Sequence, residues 1–141
     1  MRIKAPEAVY YLHIDLDGRE PPQLQLVRKV LSEFNTDVDY VFIKPSFQGM
    51  HMIIKLTNPV DPMHVPLIEA LLGSDIIRSC LVYWRYENDL FLDVFFDHKY
   101  QPEIKDKRKW GCSDVVKFMR WKCPGFIRML RIYGKDPCDL I

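Results

Sequence analysis

The sequence predicts an α+β domain built on an antiparallel sheet in β-α-β-β-α-β order, and three observations lead there. Short β-prone apolar runs alternate with stretches whose apolar residues recur at helical spacing. Turn signals separate them: Asp17-Gly18, Pro21-Pro22, Asn35-Thr36-Asp37 and Glu87-Asn88-Asp89. At 141 residues the chain has the length of one domain, enough to build a core without staples.

Val9–Asp15 (VYYLHID) is apolar and β-prone and ends at the Asp17-Gly18 turn. Pro21-Pro22 opens a helix whose face carries Leu24, Val27, Val30, Leu31 and Phe34. Tyr40–Lys44 (YVFIK) and Met50–Leu56 (MHMIIKL) read as the second and third strands, joined by the hairpin-like Pro45-Ser46-Phe47-Gln48-Gly49. Asp61-Pro62 begins a helix through Leu67, Ile68, Leu71 and Leu72, and Ser74 is the expected N-cap of another, through Ile77 and Tyr83 towards Arg85. Leu90–Phe96 (LFLDVFF) reads as the fourth strand. The order is that of a ferredoxin-like, RRM-like core with helices on one face of the sheet, over residues 1–100. Residues 101–141 form a basic, aromatic-rich helical extension packed on or beside that core. In it, Ser113 is the expected cap of a helix through Val116, Phe118 and Met119, Cys123-Pro124-Gly125 breaks it, and a second short helix ends at Gly134.

Composition bounds the function classes. The longest apolar runs fall short of the roughly 18 residues of a membrane span, and the N-terminal residues lack the apolar stretch of a secretory signal. The expectation is a soluble, intracellular protein with no membrane partner, placed in the cytoplasm (the host's, for a viral chain). Cys80, Cys112, Cys123 and Cys138 contain no Cys-x-x-Cys pair, so they read as buried thiols. A disulfide is the alternative in a hyperthermophile, and a zinc set of Cys112, Cys123 and Cys138 with a histidine a weaker one. The net charge of +1 hides an asymmetry: residues 1–98 carry 9 Lys/Arg against 14 Asp/Glu, residues 99–135 carry 11 against 3. A basic segment beside an acidic core suggests a polyanion partner, or else a solvated helical face. No Gly-x-Ser-x-Gly, P-loop or dinucleotide fingerprint occurs.

Two clusters carry chemistry. In His13-Ile14-Asp15-Leu16-Asp17, alternate positions of a strand share a face, so Asp15 and Asp17 point the same way. Paired carboxylates repel unless a cation sits between them, and hard Mg²⁺ or Mn²⁺ suits their oxygens. The bland reading is a pair of strand-end turn residues. In Lys44-Pro45-Ser46-Phe47-Gln48-Gly49-Met50-His51, glycine admits a phosphate or sugar close to the backbone, Ser46 and His51 donate hydrogen bonds, and Lys44 adds charge. Here the bland reading is a hairpin followed by a core histidine. Arg78 and Arg85, seven apart, would share a helical face able to meet phosphates, or else pair with Asp75 and Glu87.

Together these clusters resemble the archaeo-eukaryotic primase superfamily: an apolar strand ending in Asp15-x-Asp17, an amphipathic helix, then a strand and Ser46-x-x-Gly49-x-His51. The likeness runs from about Val9 to Lys99. It is especially close to the polymerase domains of bacterial end-joining ligases and to primase-polymerases of archaeal plasmids and viruses. The resemblance implies that Asp15 and Asp17 bind metal, that Ser46, Gly49 and His51 contact a nucleoside triphosphate, and that Asp93 is the third carboxylate, with Asp97 in reserve. It further implies two Mg²⁺ or Mn²⁺ ions about 4 Å apart catalysing nucleotidyl transfer on a single-stranded DNA or RNA template. Family members carry a sizeable α/β module before the Asp-x-Asp strand, where this chain has only the residues before Val9. The expectation is that the basic C-terminal region or a second protein completes the cleft, or that the chain is a non-catalytic replication accessory.

Lys107, Arg108, Lys109, Lys117, Arg120 and Lys122 interleave with Trp110 and Trp121, a pattern suited to phosphates and unpaired bases. The rival reading packs Trp110, Phe118, Trp121 and Phe126 on the open side of the sheet, leaving the bases outward. A further alternative is a rolling-circle replication endonuclease with Tyr83 as nucleophile, although the His-hydrophobic-His pair of that chemistry is missing.

Overall fold

Apolar residues at every second position turn one face of two strands inward. The computed structural model describes residues 8–16, 19–46, 49–90 and 110–141. Strand β1 (Val9–Asp15) buries Val9, Leu12 and Ile14, while β3 (Gly49–Val60) buries Met52, Ile54, Leu56 and Val60. With β2 (Val38–Ser46) they form an antiparallel sheet in the order β1-β3-β2. β3 is antiparallel to both neighbours, so β1 and β2 run parallel on either side of it. The pairing closes at Ser46 opposite Gly49.

Helix α1 (Leu24–Ser32) has Gln23, the residue after the prolines, as its N-cap and sends Val27 and Leu31 to the core. A 3₁₀ turn (Pro62–His64), capped by Asp61, leads into α2 (Val65–Leu71). Val65 to Ala70 are all buried, because α2 lies between two apolar clusters. Val65, Ile68 and Leu72 pack with the sheet, whereas Leu67 and Ala70 face α3 (Ile76–Glu87), α4 (Cys112–Lys122) and α5 (Pro124–Ile132). The broad class is therefore α+β: a small antiparallel sheet with helices, as the sequence suggested. Each chain reversal after α1, α2, α3 and α5 uses one residue at positive φ: Asn35, Gly73, Asp89 and Gly134. In all four, the next amide reaches back to the carbonyl five residues before it, which satisfies the helix end.

Several expectations are corrected. Ser74 does not cap α3; Asp75 does, accepting from the Ile77 N–H, while the Ser74 hydroxyl accepts from the Asp15 N–H at 3.0 Å. Ser113 is not the cap of α4, which begins one residue earlier with Gly111 as N-cap, the Gly111 N–H donating to Asp114. The cysteines are not buried thiols and form no zinc set, because Cys80 pairs with Cys123 and Cys112 with Cys138 in disulfides. These bonds tie α3 to the α4–α5 junction and the start of α4 to the C-terminal 3₁₀ turn (Pro137–Leu140). Phe118 and Phe126 pack on α2 and α3 instead of the open side of the sheet, and Trp121 stays 65% exposed.

The outer edge of β1 is engaged by side chains from the helices. The His13 N–H donates to Glu69 at 2.8 Å and the His13 carbonyl accepts from Arg78 at 3.2 Å. Two residues on, Asp15 bonds Ser74 and the Asp75 N–H. The expected fourth strand lies outside the described residues apart from Leu90, which ends the α3 turn through a bond to the Arg85 carbonyl. In ferredoxin-like order that strand would flank β1, and pairing at His13 and Asp15 would have to displace these bonds.

Candidate functional site

Because opposed residues of antiparallel strands share a face, the open side of the sheet is a grid of three cross-strand rows. Asp15, His51 and Lys44 form one row; His13, Ile53 and Phe42 the next; Tyr11, Lys55 and Tyr40 the third. The first row contains the two clusters that stood out in the sequence. The Asp15 Oδ1 and His51 Nε2 atoms are 3.9 Å apart, and both side chains are largely sheltered. Lys44, on the far side of His51, is exposed.

Asp15 is positioned from behind. Its N–H and carbonyl are held by Ser74 and Asp75, so the loop between α2 and α3 fixes the end of β1. Deeper along the same edge lies the ion pair between Arg78 and Glu69, 3.2 Å apart, with side-chain exposures of 7% and 1%. This places Arg78 inside the protein and corrects its expected role on a phosphate-facing surface. Arg85, two turns further, is half-buried, and burial, with Arg78 nearby, pulls its guanidinium below its ordinary pKa. His13 lies between these groups and the open face. Burial first, then Arg78 and His51, lower its pKa to about 4, so the imidazole is neutral at pH 7.

The other expected residues separate. Asp17, Asp93, Asp97, Lys107, Arg108 and Lys109 lie outside the described residues. Gly49 pairs with Ser46 at the hairpin end of the sheet. Lys117 and Arg120 are exposed on α4. Lys122 places its ammonium over the rings of Trp84 (4.2 Å) and Trp121 (5.2 Å). Tyr83 stacks on Phe126 at 5.5 Å and burial raises its pKa, which suits packing and not a nucleophile.

Sequence reasoning missed Glu69. Its signal was a single acidic residue inside an otherwise apolar helix, which needs a buried partner. Among the described residues no group of three or more His, Cys, Asp or Glu could hold a metal ion. Of the three aspartates expected to do so, Asp15 alone is described, and one carboxylate with an imidazole is too few donors for Mg²⁺ or Mn²⁺. No helix among the described residues is long and apolar enough to cross a membrane. No family model, curated protein or solved structure matches this chain.

Proposed function

We propose that the Asp15–His51–Lys44 row recognises the phosphates of a nucleoside triphosphate, and that the chain is a primase- or polymerase-like nucleotidyl transferase. The supporting observation is the 3.9 Å approach of Asp15 to His51, which brings together two sequence-distant motifs that this chemistry needs side by side. Lys44 supplies positive charge to a triphosphate, His51 donates a hydrogen bond to a phosphate oxygen, and Asp15 stands on the other side of His51 from Lys44. In this reading Asp17 and Asp93 join Asp15 in holding Mg²⁺ or Mn²⁺, which would supply charge neutralisation on the transferred phosphate. A ferredoxin-like sheet completed by the 90–96 segment belongs to the same proposal, with a second protein as a candidate for the other wall of the cleft.

The test is incorporation of labelled ribo- and deoxyribonucleotides on single-stranded template, with and without primer, in Mg²⁺ or Mn²⁺. Incorporation that disappears in Asp15→Asn and falls in His51→Ala supports the reading. Absence of incorporation, with template still bound, would replace it by a non-catalytic replication accessory. The exposed Lys117 and Arg120 on α4 favour that second reading.

A further inference from the structure

The remaining two rows of the open face have a composition that nucleotidyl transfer does not explain. Tyr11 is 40% exposed, Tyr40 50% and Phe42 54%, all on the solvent side of a folded sheet. Lys55 stands between Tyr11 and Tyr40 in the same row. Its ammonium lies 4.8 Å from the Tyr10 ring centre and 5.5 Å from that of Tyr11, and it donates to the Leu56 carbonyl. The Tyr11 and Tyr40 hydroxyls meet at 3.5 Å across the strand between them.

We infer that this face is a platform for single-stranded nucleic acid, with Tyr11, Tyr40 and Phe42 stacking unpaired bases and Lys55 and Lys44 neutralising the phosphates between them. Chemistry selects this occupant. Flat aromatic rings held in rows on a sheet offer π-faces that any base can stack on. Protein interfaces also use aromatic residues but are depleted in lysine, whereas here Lys55 and Lys44 stand among the rings; the lysine-free apolar patch is on the opposite side of β2, where Val41 and Ile43 are exposed. Successive rows are roughly 6.8 Å apart along the strands, so consecutive bases can occupy consecutive rows. His13, neutral at pH 7, adds no charge beside Phe42. A strand lying along the platform runs into the Asp15–His51–Lys44 row, and the inference deepens the proposed function by naming where its template lies. Apart from Lys44 it concerns different side chains, and it stands or falls separately.

The experiment is fluorescence anisotropy with labelled single-stranded oligo-dT, the matching oligo-U and a duplex of equal length. Phe42→Leu and Tyr40→Leu keep an apolar surface but remove the ring, and circular dichroism monitors the fold. Each is expected to weaken single-strand binding roughly 5- to 150-fold, the range for losing one stacked base. Lys55→Ala should flatten the slope of log affinity against log salt by about 0.7. Ile132→Ala, exposed on α5, is the comparison and should leave oligo binding within about twofold. The dT and U arms separate DNA from RNA. Wild-type binding that both leucine variants retain would overturn the platform and leave nucleotidyl transfer standing. A duplex bound as tightly as the single strand would also overturn it, as would self-association through this face seen by sedimentation. Binding lost in the leucine variants with no nucleotide incorporation by wild type would support the platform and remove the catalytic reading.

Discussion

Replacing Arg78 with methionine removes one partner of a pair sealed inside the protein. Glu69 is 1% exposed and its carboxylate faces Arg78 at 3.2 Å, so the substitution leaves a buried negative charge without its cation. It also deletes the bond that Arg78 donates to the His13 carbonyl. Breaking a buried pair in this way costs roughly 3–5 kcal/mol, a large share of the 5–15 kcal/mol that stabilises a typical domain. For a chain of this length that corresponds to a fall in Tm of about 10–17 °C. Denaturant titration at pH 7 measures the cost directly. The Glu69→Leu/Arg78→Met double variant, which removes both charges, should recover part of it. Arg78 also lowers the His13 pKa, so in Arg78→Met the imidazole should titrate above about 4 when followed by NMR. A cost below about 1 kcal/mol, accompanied by lost affinity for triphosphate, would refute the reasoning and return Arg78 to a solvent-facing phosphate site.

Other outcomes follow from the same geometry. Because the folded His13 pKa is depressed from 6.5 to about 4, its contribution to stability is complete above pH 6.5 and is lost as pH falls towards 4. Urea midpoints measured across that window should decline for wild type and decline less for His13→Phe. The Cys80–Cys123 bond closes a separation of 43 residues and Cys112–Cys138 one of 26, worth about 4 and 3.5 kcal/mol by chain entropy. Peptide mapping under non-reducing conditions should recover those two pairs, and Cys112→Ala/Cys138→Ala should cost up to about 3.5 kcal/mol. A Cβ at Gly125 would sit 2.5 Å from the Tyr83 hydroxyl oxygen, so Gly125→Ala should destabilise by about 1–3 kcal/mol, less in a Tyr83→Phe background. Lys122→Ala should cost about 0.5–1 kcal/mol and shift tryptophan emission, since Trp84 and Trp121 lose the ammonium between them.

What could be read in advance was whatever local chemistry decides. The Val27 and Leu31 stripe placed α1, and the alternation Leu12, Ile14 and Met52, Ile54, Leu56 placed the inward faces of β1 and β3. Gly134 marked one helix end because its positive φ is costly for other residues. What was missed depends on pieces far apart in the chain. Ser74 and Asp75 are adjacent and both suit an N-cap; Asp75 took it because the Ser74 hydroxyl meets an amide on β1, 59 residues away in sequence. The pairing of Arg78 with Glu69 required knowing how α2 packs on α3, and four cysteines allow three connectivities that spacing cannot rank.

The candidate site sits between these two cases. Alternation alone puts Asp15, His51 and Lys44 on the open face, since each is an even number of residues from neighbours that share that face. Their meeting in one row is a matter of register. Sliding β1 by two residues along β3 would keep every apolar side chain inward yet pair His51 with His13 or with residue 17. The alternating pattern does not forbid that slip; the bonds of His13 to Glu69 and Arg78, and of Asp15 to Ser74 and Asp75, do. The Asp15–His51 approach is therefore set by the helices behind the strand, and variants at Glu69 or Ser74, on the helix side of β1, should disturb it.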